Sequence, residues 1–230
     1  MKKVLPLALA ALASSSIYAA DLSISITNLT RGTHFTPLLI AAHPAEMKLF
    51  TVGEAASTAV QEMAEGGAIG SLVTELSAAN ADLVENPAAG LLAPGITTMT
   101  TLTTADENTH LSVVAMVLPT NDAFLGLNGI AIPTEPGTYM YNVNAYDSGT
   151  EANDELRGSG AAGMPGFPFP GPVETNAGMN GSGVNATVEG FIHIHRNVLG
   201  DTDVTGGASD IDSTIHRWLN PVARVIVTVN

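Results

Sequence analysis

Apolar and polar residues alternate from Asp21 onward: Leu22, Ile24 and Ile26 fall on one side, and Ser23, Ser25 and Thr27 on the other. A period of two residues predicts a half-buried β-strand. Residues 35–42 form a second apolar run, with Pro37 near its start, which suits a sheet edge or the first residues of a strand. Residues 96–104 are dense in Thr and carry no charge. Residues 111–117 are the most apolar run and are expected at the centre of a sheet. Residues 124–132, interrupted by two Gly, then 138–143, 188–195 and 222–229 complete the strand pattern. Helical composition is confined to residues 55–65 and 69–79. Thr51 and Glu54 have capping-box spacing ahead of the first helix, and Gly66-Gly67 ends it. Val60, Met63 and Ala64 are then expected to face the sheet. About eight strands with one short helical insertion predict an all-β fold, an antiparallel β-sandwich.

Residues 1–19 depart from this pattern. Lys2 and Lys3 precede ten apolar residues, 4–13, a length that suits a secretion signal and is too short to span a bilayer. Ile17-Tyr18-Ala19 places the cut after Ala19; a cut after Ala20 would put Tyr18 three positions back. A buried N-terminal helix is the alternative. With a signal at 1–19, residues 20–230 are one domain, exported to the periplasm or the extracellular space. No later apolar run is long enough for a transmembrane helix.

Charge narrows the partners. With 22 acidic and 8 basic residues the formal net charge is −14, and loss of Lys2 and Lys3 takes it to −16. Such a surface repels nucleic acid, and bare anionic lipid too unless calcium bridges it, and it favours cations. With no Cys, neither disulfides nor thiol chemistry enters.

The carboxylates cluster. Residues 145–155 hold Asp147, Glu151, Asp154 and Glu155, with Asn153, around a Ser148-Gly149 turn directly after the 138–143 strand. A strand ending in such a turn can cage a hard cation, since Ca2+ takes six to eight oxygens in irregular geometry. The same turn also fits a solvated acidic loop. A second acidic loop, Leu118-Pro119-Thr120-Asn121-Asp122-Ala123-Phe124-Leu125-Gly126, follows the 111–117 strand. This loop and Tyr146-Asp147-Ser148-Gly149-Thr150-Glu151 together resemble the spondin N-terminal domain family. The resemblance runs from Ile26-Thr27-Asn28-Leu29-Thr30 to Asn220-Pro221-Val222-Ala223-Arg224-Val225. It implies a β-sandwich that binds calcium between loops at one end, at the positions matched here by Asp122, Asp147 and Glu151. It also implies extracellular recognition or adhesion. Phe124 stands where the family has Trp, and the cysteines of the animal domains are missing. The animal partners therefore do not carry over, and the partner classes are a surface glycan, another protein or a lipid headgroup.

Other candidates are weighed beside this one. His193 and His195 are two apart on the expected 188–195 strand and so share a face. A strand His-x-His can begin a copper or zinc site once a third ligand joins it, which makes a periplasmic transition-metal-binding protein or metalloenzyme the alternative function; the pair also fits two half-buried structural histidines. The other imidazoles are His34, His43, His110 and His216. Asp201-x-Asp203 and Asp210-x-Asp212 offer a second calcium site without the full EF-hand pattern. Residues 158–183 are too rich in Gly and Pro for a regular ladder; they suit either a long ordered loop or a mobile flap, with Phe167 and Phe169 packed on the domain or contacting a partner. No Gly-x-Ser-x-Gly, His-Glu-x-x-His or phosphate loop occurs, so no catalytic set emerges and a non-enzyme is expected. The exported protein is expected to begin at Ala20 or Asp21. N-terminal sequencing of the envelope or secreted fraction checks this, and an intact Met1 form there rules the signal out.

Overall fold

The computed structural model describes residues 19–174, 178–185 and 187–230, so the targeting segment read at 1–19 lies outside the described residues except for Ala19. Strand β1 (Asp21–Asn28) buries Leu22, Ile24 and Ile26, as its alternation predicts. It lies between β10 (Ala223–Val229) and β5 (Thr97–Thr103). The register sets Ile24 opposite Val227 and Ile26 opposite Val225, which keeps one face apolar.

The corner of the fold is β8 (Gly137–Asp147). Residues 137–143 pair with β10, whereas residues 144–147 pair with β7 (Ala123–Ala131). From β7 the sheet continues through β6 (His110–Leu118) and β3 (Leu39–His43) to β4 (Asp82–Glu85). Two short strands, β2 (His34–Phe35) and β9 (His193–Ile194), add to β6 and to the end of β8. Every pairing between these strands is antiparallel. A strand that changes partner along its length turns a sheet back on itself. The outer ends of the sheet also meet: Asp82 on β4 accepts from the Ala105 amide (2.6 Å) and from Asn108 Nδ2 (2.8 Å), just beyond β5. The fold is therefore all-β and antiparallel. Its two halves face each other as parts of one nearly closed, barrel-like sheet.

Burial explains the hydrophobic runs. Leu22, Ile24, Ile40, Val113, Leu125 and Val225 belong to the central core. On β6, Leu111, Val113, Ala115 and Val117 face that core, while Val114 faces a second apolar cluster outside the sheet. Burial on both faces is why β6 shows no alternation. The outer cluster is covered by α1 (Thr58–Gly66) and α2 (Gly70–Ala78), through Val60, Met63, Ala64, Leu72 and Leu76. The first helix starts later than the capping box predicts. Ser57 Oγ accepts from the Val60 amide (3.2 Å), and Gly67 at φ 69° closes the far end. Thr51 and Glu54 instead make a backbone turn upstream.

Two other expectations change, and one strand, β4, is new. The 35–42 run divides into β2 and β3 on either side of Pro37. Strand β4 has only four residues and no strong pattern. The 188–195 segment is a strand only at His193–Ile194, because Gly190 takes φ 80° and leaves the extended conformation.

Among the described residues between β8 and β10 little is regular apart from β9 and a four-residue helix, α3 (Gly171–Glu174). Buried carboxylates gather its backbone donors. Glu155 accepts from the amides of Leu199 (2.5 Å) and Gly200 (2.8 Å) and from Ser209 Oγ (2.6 Å). Asp210 accepts from the amides of Arg157 (2.9 Å) and Gly181 (2.8 Å). Such charge-assisted bonds satisfy amides that have no ladder partner. Phe167 is fully buried and Phe169 packs beside it, ring centroids 5.1 Å apart. Ile24→Ala is expected to cost about 2–5 kcal/mol through cavity formation. Ser25→Ala, on the outer face, should stay within about 0.5 kcal/mol. Urea unfolding of the two variants measures the contrast.

Candidate cation centre

The two acidic loops meet because β7 and β8 pair at their loop ends, with Ala123 opposite Asp147 and Phe124 opposite Tyr146. Phe50 locks this register from outside: its ring centroid is 5.0 Å from both Phe124 and Tyr146. Asp122 is fully buried. Its Oδ2 accepts from Ser148 Oγ (2.8 Å) and from the amides of Thr150 (2.9 Å) and Glu151 (3.2 Å). Its Oδ1 is equally buried and has no hydrogen-bond partner among the described residues. Asp147, also buried, accepts from the Gly149 amide at Oδ1 (2.8 Å) and from Asn153 Nδ2 at Oδ2 (2.8 Å). Burial, and then the charge of Asp147, push the Asp122 carboxyl up to about 8 against the pull of its three donors.

Glu151 plays a divided part. Its amide supports Asp122, while its own Oε1 accepts from Asn121 Nδ2 (2.8 Å) and the Gly166 amide (2.5 Å). Its Oε2 is buried and unpartnered among the described residues. Burial raises its carboxyl to about 7, with lesser upward pushes from Glu65 and Asp154. The structure thus brings Asp122 and Asp147 together. It sets the Glu151 carboxyl beside a cavity of about 210 Å³ that Glu65, Asp154 and Gly163 also line.

The two histidines flank the same aspartate. His193 Nε2 lies 3.7 Å from Asp147 Oδ1, and His195 Nε2 lies 3.8 Å from Asp147 Oδ2. Both separations exceed hydrogen-bond range, and both Nε2 atoms are buried without a partner among the described residues. Strand pairing places His193 directly opposite Asp147. Gly149 allows that approach: it sits at φ 68°, its carbonyl accepts from the Gly190 amide (2.8 Å), and a Cβ there would overlap the Phe191 backbone. Burial, outweighing the Asp147 charge, lowers His195 to about 4, so its ring is neutral at pH 7. The turn at Gly190 also brings in Glu189, which periodicity did not single out. One ligand atom from each of Asp147, Glu189 and His193 lies within 4.8 Å of the other two. The only sequence signal for Glu189 is its place four residues before His193, and that spacing means nothing until the turn is known.

The remaining candidates have other duties. Asp201 accepts from the amides of Asp203, Ala208 and Ser209, and Asp210 uses both oxygens on loop amides. His43 is buried and satisfied, with Nε2 2.8 Å from Ser112 Oγ and Nδ1 2.9 Å from the Pro44 carbonyl.

The profile of the spondin N-terminal family, Spondin_N, matches residues 25–159, more than half of the chain. The match includes Asp122, Asp147 and Glu151 and stops short of Glu189, His193 and His195. No curated protein matches the chain. The raised carboxyls make a pH prediction. An acid whose folded pKa lies above its unfolded value contributes stability below the unfolded value and loses it as pH rises through the folded one. In excess chelator, stability should therefore fall as pH rises from near 3.8 to about 8 for Asp122, with Glu151 adding to the fall up to about 7. Asp122→Asn should flatten the profile in thermal melts across that range.

Proposed function

The chain belongs to the spondin N-terminal domain family, and on that footing we propose that it is an exported, calcium-binding recognition module without a catalytic role. One observation carries the calcium assignment: Asp122 and Asp147 are held together out of water, and Asp122 Oδ1 has no donor among the described residues. Two carboxylates in such a place repel each other and lack full solvation, and a divalent cation offsets both costs. The ligand atoms are oxygens, as calcium requires, and Glu151, nearby in sequence, keeps one further unpartnered carboxylate oxygen among the described residues. The barrel is the rigid support, and the 148–222 loops are the recognition surface. Ile194, Leu199 and Leu219 are exposed on that surface. A protein, a glycan or a lipid headgroup fits it better than nucleic acid, given the net charge of −14. Among the described residues no helix is long and apolar enough to cross a membrane.

Calcium that binds only the folded state stabilises it by RT ln(1 + [L]/Kd), about 2.7 kcal/mol at 100 times Kd. The parent protein should melt higher in millimolar calcium than in chelator. Magnesium should substitute poorly, because it demands tight octahedral geometry. Asp122→Asn and Asp147→Asn should lose the shift, while Asp106→Asn, in a distant turn, should keep it. A parent midpoint indifferent to calcium sinks the assignment.

A further inference from the structure

We propose that Asp147, Glu189 and His193 form a second centre, beside the calcium carboxylates, that takes a transition-metal dication of the zinc class. The hydrogen bond at the back of the His193 ring decides its tautomer. Nδ1 lies 3.0 Å from the Ile194 carbonyl, which can only accept, so Nδ1 carries the proton. The Nε2 lone pair is then free, and it faces Asp147 Oδ1 at 3.7 Å. Two ligands of one tetrahedral ion, each about 2.1 Å from the metal, stand roughly 3.4 Å apart. The observed gap is near that spacing and well beyond a hydrogen bond.

Glu189 completes the set. Its Oε1 is fixed by Arg196 Nη2 at 3.2 Å, while its Oε2 is buried and unpartnered among the described residues. This is the arrangement of a carboxylate oriented through one oxygen and free to ligate through the other. His195 differs from His193. Its Nδ1 accepts from the Asn197 amide (2.9 Å), so the neutral ring carries its proton on Nε2, facing the other oxygen of Asp147.

The donor set selects the ion. Calcium and magnesium prefer all-oxygen shells, whereas imidazole with carboxylates suits zinc and its neighbours. The absence of Cys removes the soft-ligand alternatives. This centre goes beyond the calcium assignment and shares only Asp147 with it.

The test titrates metal-free protein with Zn2+ in saturating calcium, following heat and stoichiometry, with circular dichroism confirming the fold of each variant. One equivalent of zinc is expected. His193→Ala and Glu189→Gln should each weaken zinc at least tenfold while leaving the calcium-dependent melting shift intact. Asp122→Asn should lose the calcium shift and keep zinc, and Asp147→Asn should lose both. Cobalt gives a readout that needs no variant: Co2+ bound here should show the visible bands of a four- or five-coordinate ion. Absence of zinc binding, unchanged zinc affinity in both the His193 and Glu189 variants, or a six-coordinate aqua-like cobalt spectrum overturns the proposal. So does a folded His193→Ala protein that loses calcium and zinc together, since that outcome means one site. Loss of the calcium shift in the parent, with zinc retained, counts against the calcium assignment alone.

Discussion

Asp122 and Asp147 end neighbouring strands with their carboxylates buried against each other, and the loop end of the barrel is arranged around that repulsion. In water two carboxylates at close range cost little; in a desolvated site their mutual charge and lost hydration both rise. The fold answers with donors. Ser148, Thr150 and Glu151 converge on one oxygen of Asp122, while Gly149 and Asn153 take one oxygen each of Asp147. These donors come from the turn that Asp147 itself begins, so the tight Ser-Gly geometry and the burial of the acids sustain each other. The donors fall short by one oxygen, Asp122 Oδ1, and on the proposed reading that shortfall is what a cation would meet.

The same chain shows the contrast. Glu155 and Asp210 are nearly as buried as Asp122, yet each of their oxygens meets an amide or a hydroxyl, as do both oxygens of Asp147. Glu155 and Asp210 hold the irregular segment between β8 and β10 in place of a ladder. Asp122, Glu151 and Glu189 each leave one buried oxygen without a partner among the described residues. An unmade hydrogen bond to a buried charged group is expensive. Acidity alone thus says little about function; the accounting of acceptors against donors says more.

That accounting is also what the sequence could not display. Alternation marked β1 and the valines of β10, and the apolar run marked β6, because those signals arise from burial on one face or two. Asp122, Asp147 and Glu151 were legible as two loop motifs after strong strands. Where the Glu151 carboxyl would turn was not, since Asn121 and the Gly166 amide reach it from elsewhere in the chain. His193 and His195 were legible as a pair two residues apart, but their spacing did not name Asp147, which the pairing of the two-residue β9 with β8 brings beside them. Glu189 was hidden for the opposite reason: an unbroken strand from 188 to 195 would have put it on the same face as His193 but two pairs away, and only the positive φ of Gly190 folds it back. Strand β4 is too short for any period to register, and its place depends on β3 beside it.

A cation at this end would therefore complete the loops and leave the barrel as it is. The central core is apolar and closed by long-range pairing of β1, β6, β8 and β10, none of which needs the ion. The loops have no core of comparable size, and their order rests on carboxylates that meet N–H and O–H donors. Where donors suffice, as at Glu155, the loop is self-contained. At Asp122 they do not suffice, and the proposed ion would supply the missing positive charge and tie the 120–123 loop to the 147–151 turn. Ion binding would then act on the proposed recognition surface, through loop order, with little effect on the core that keeps the chain folded.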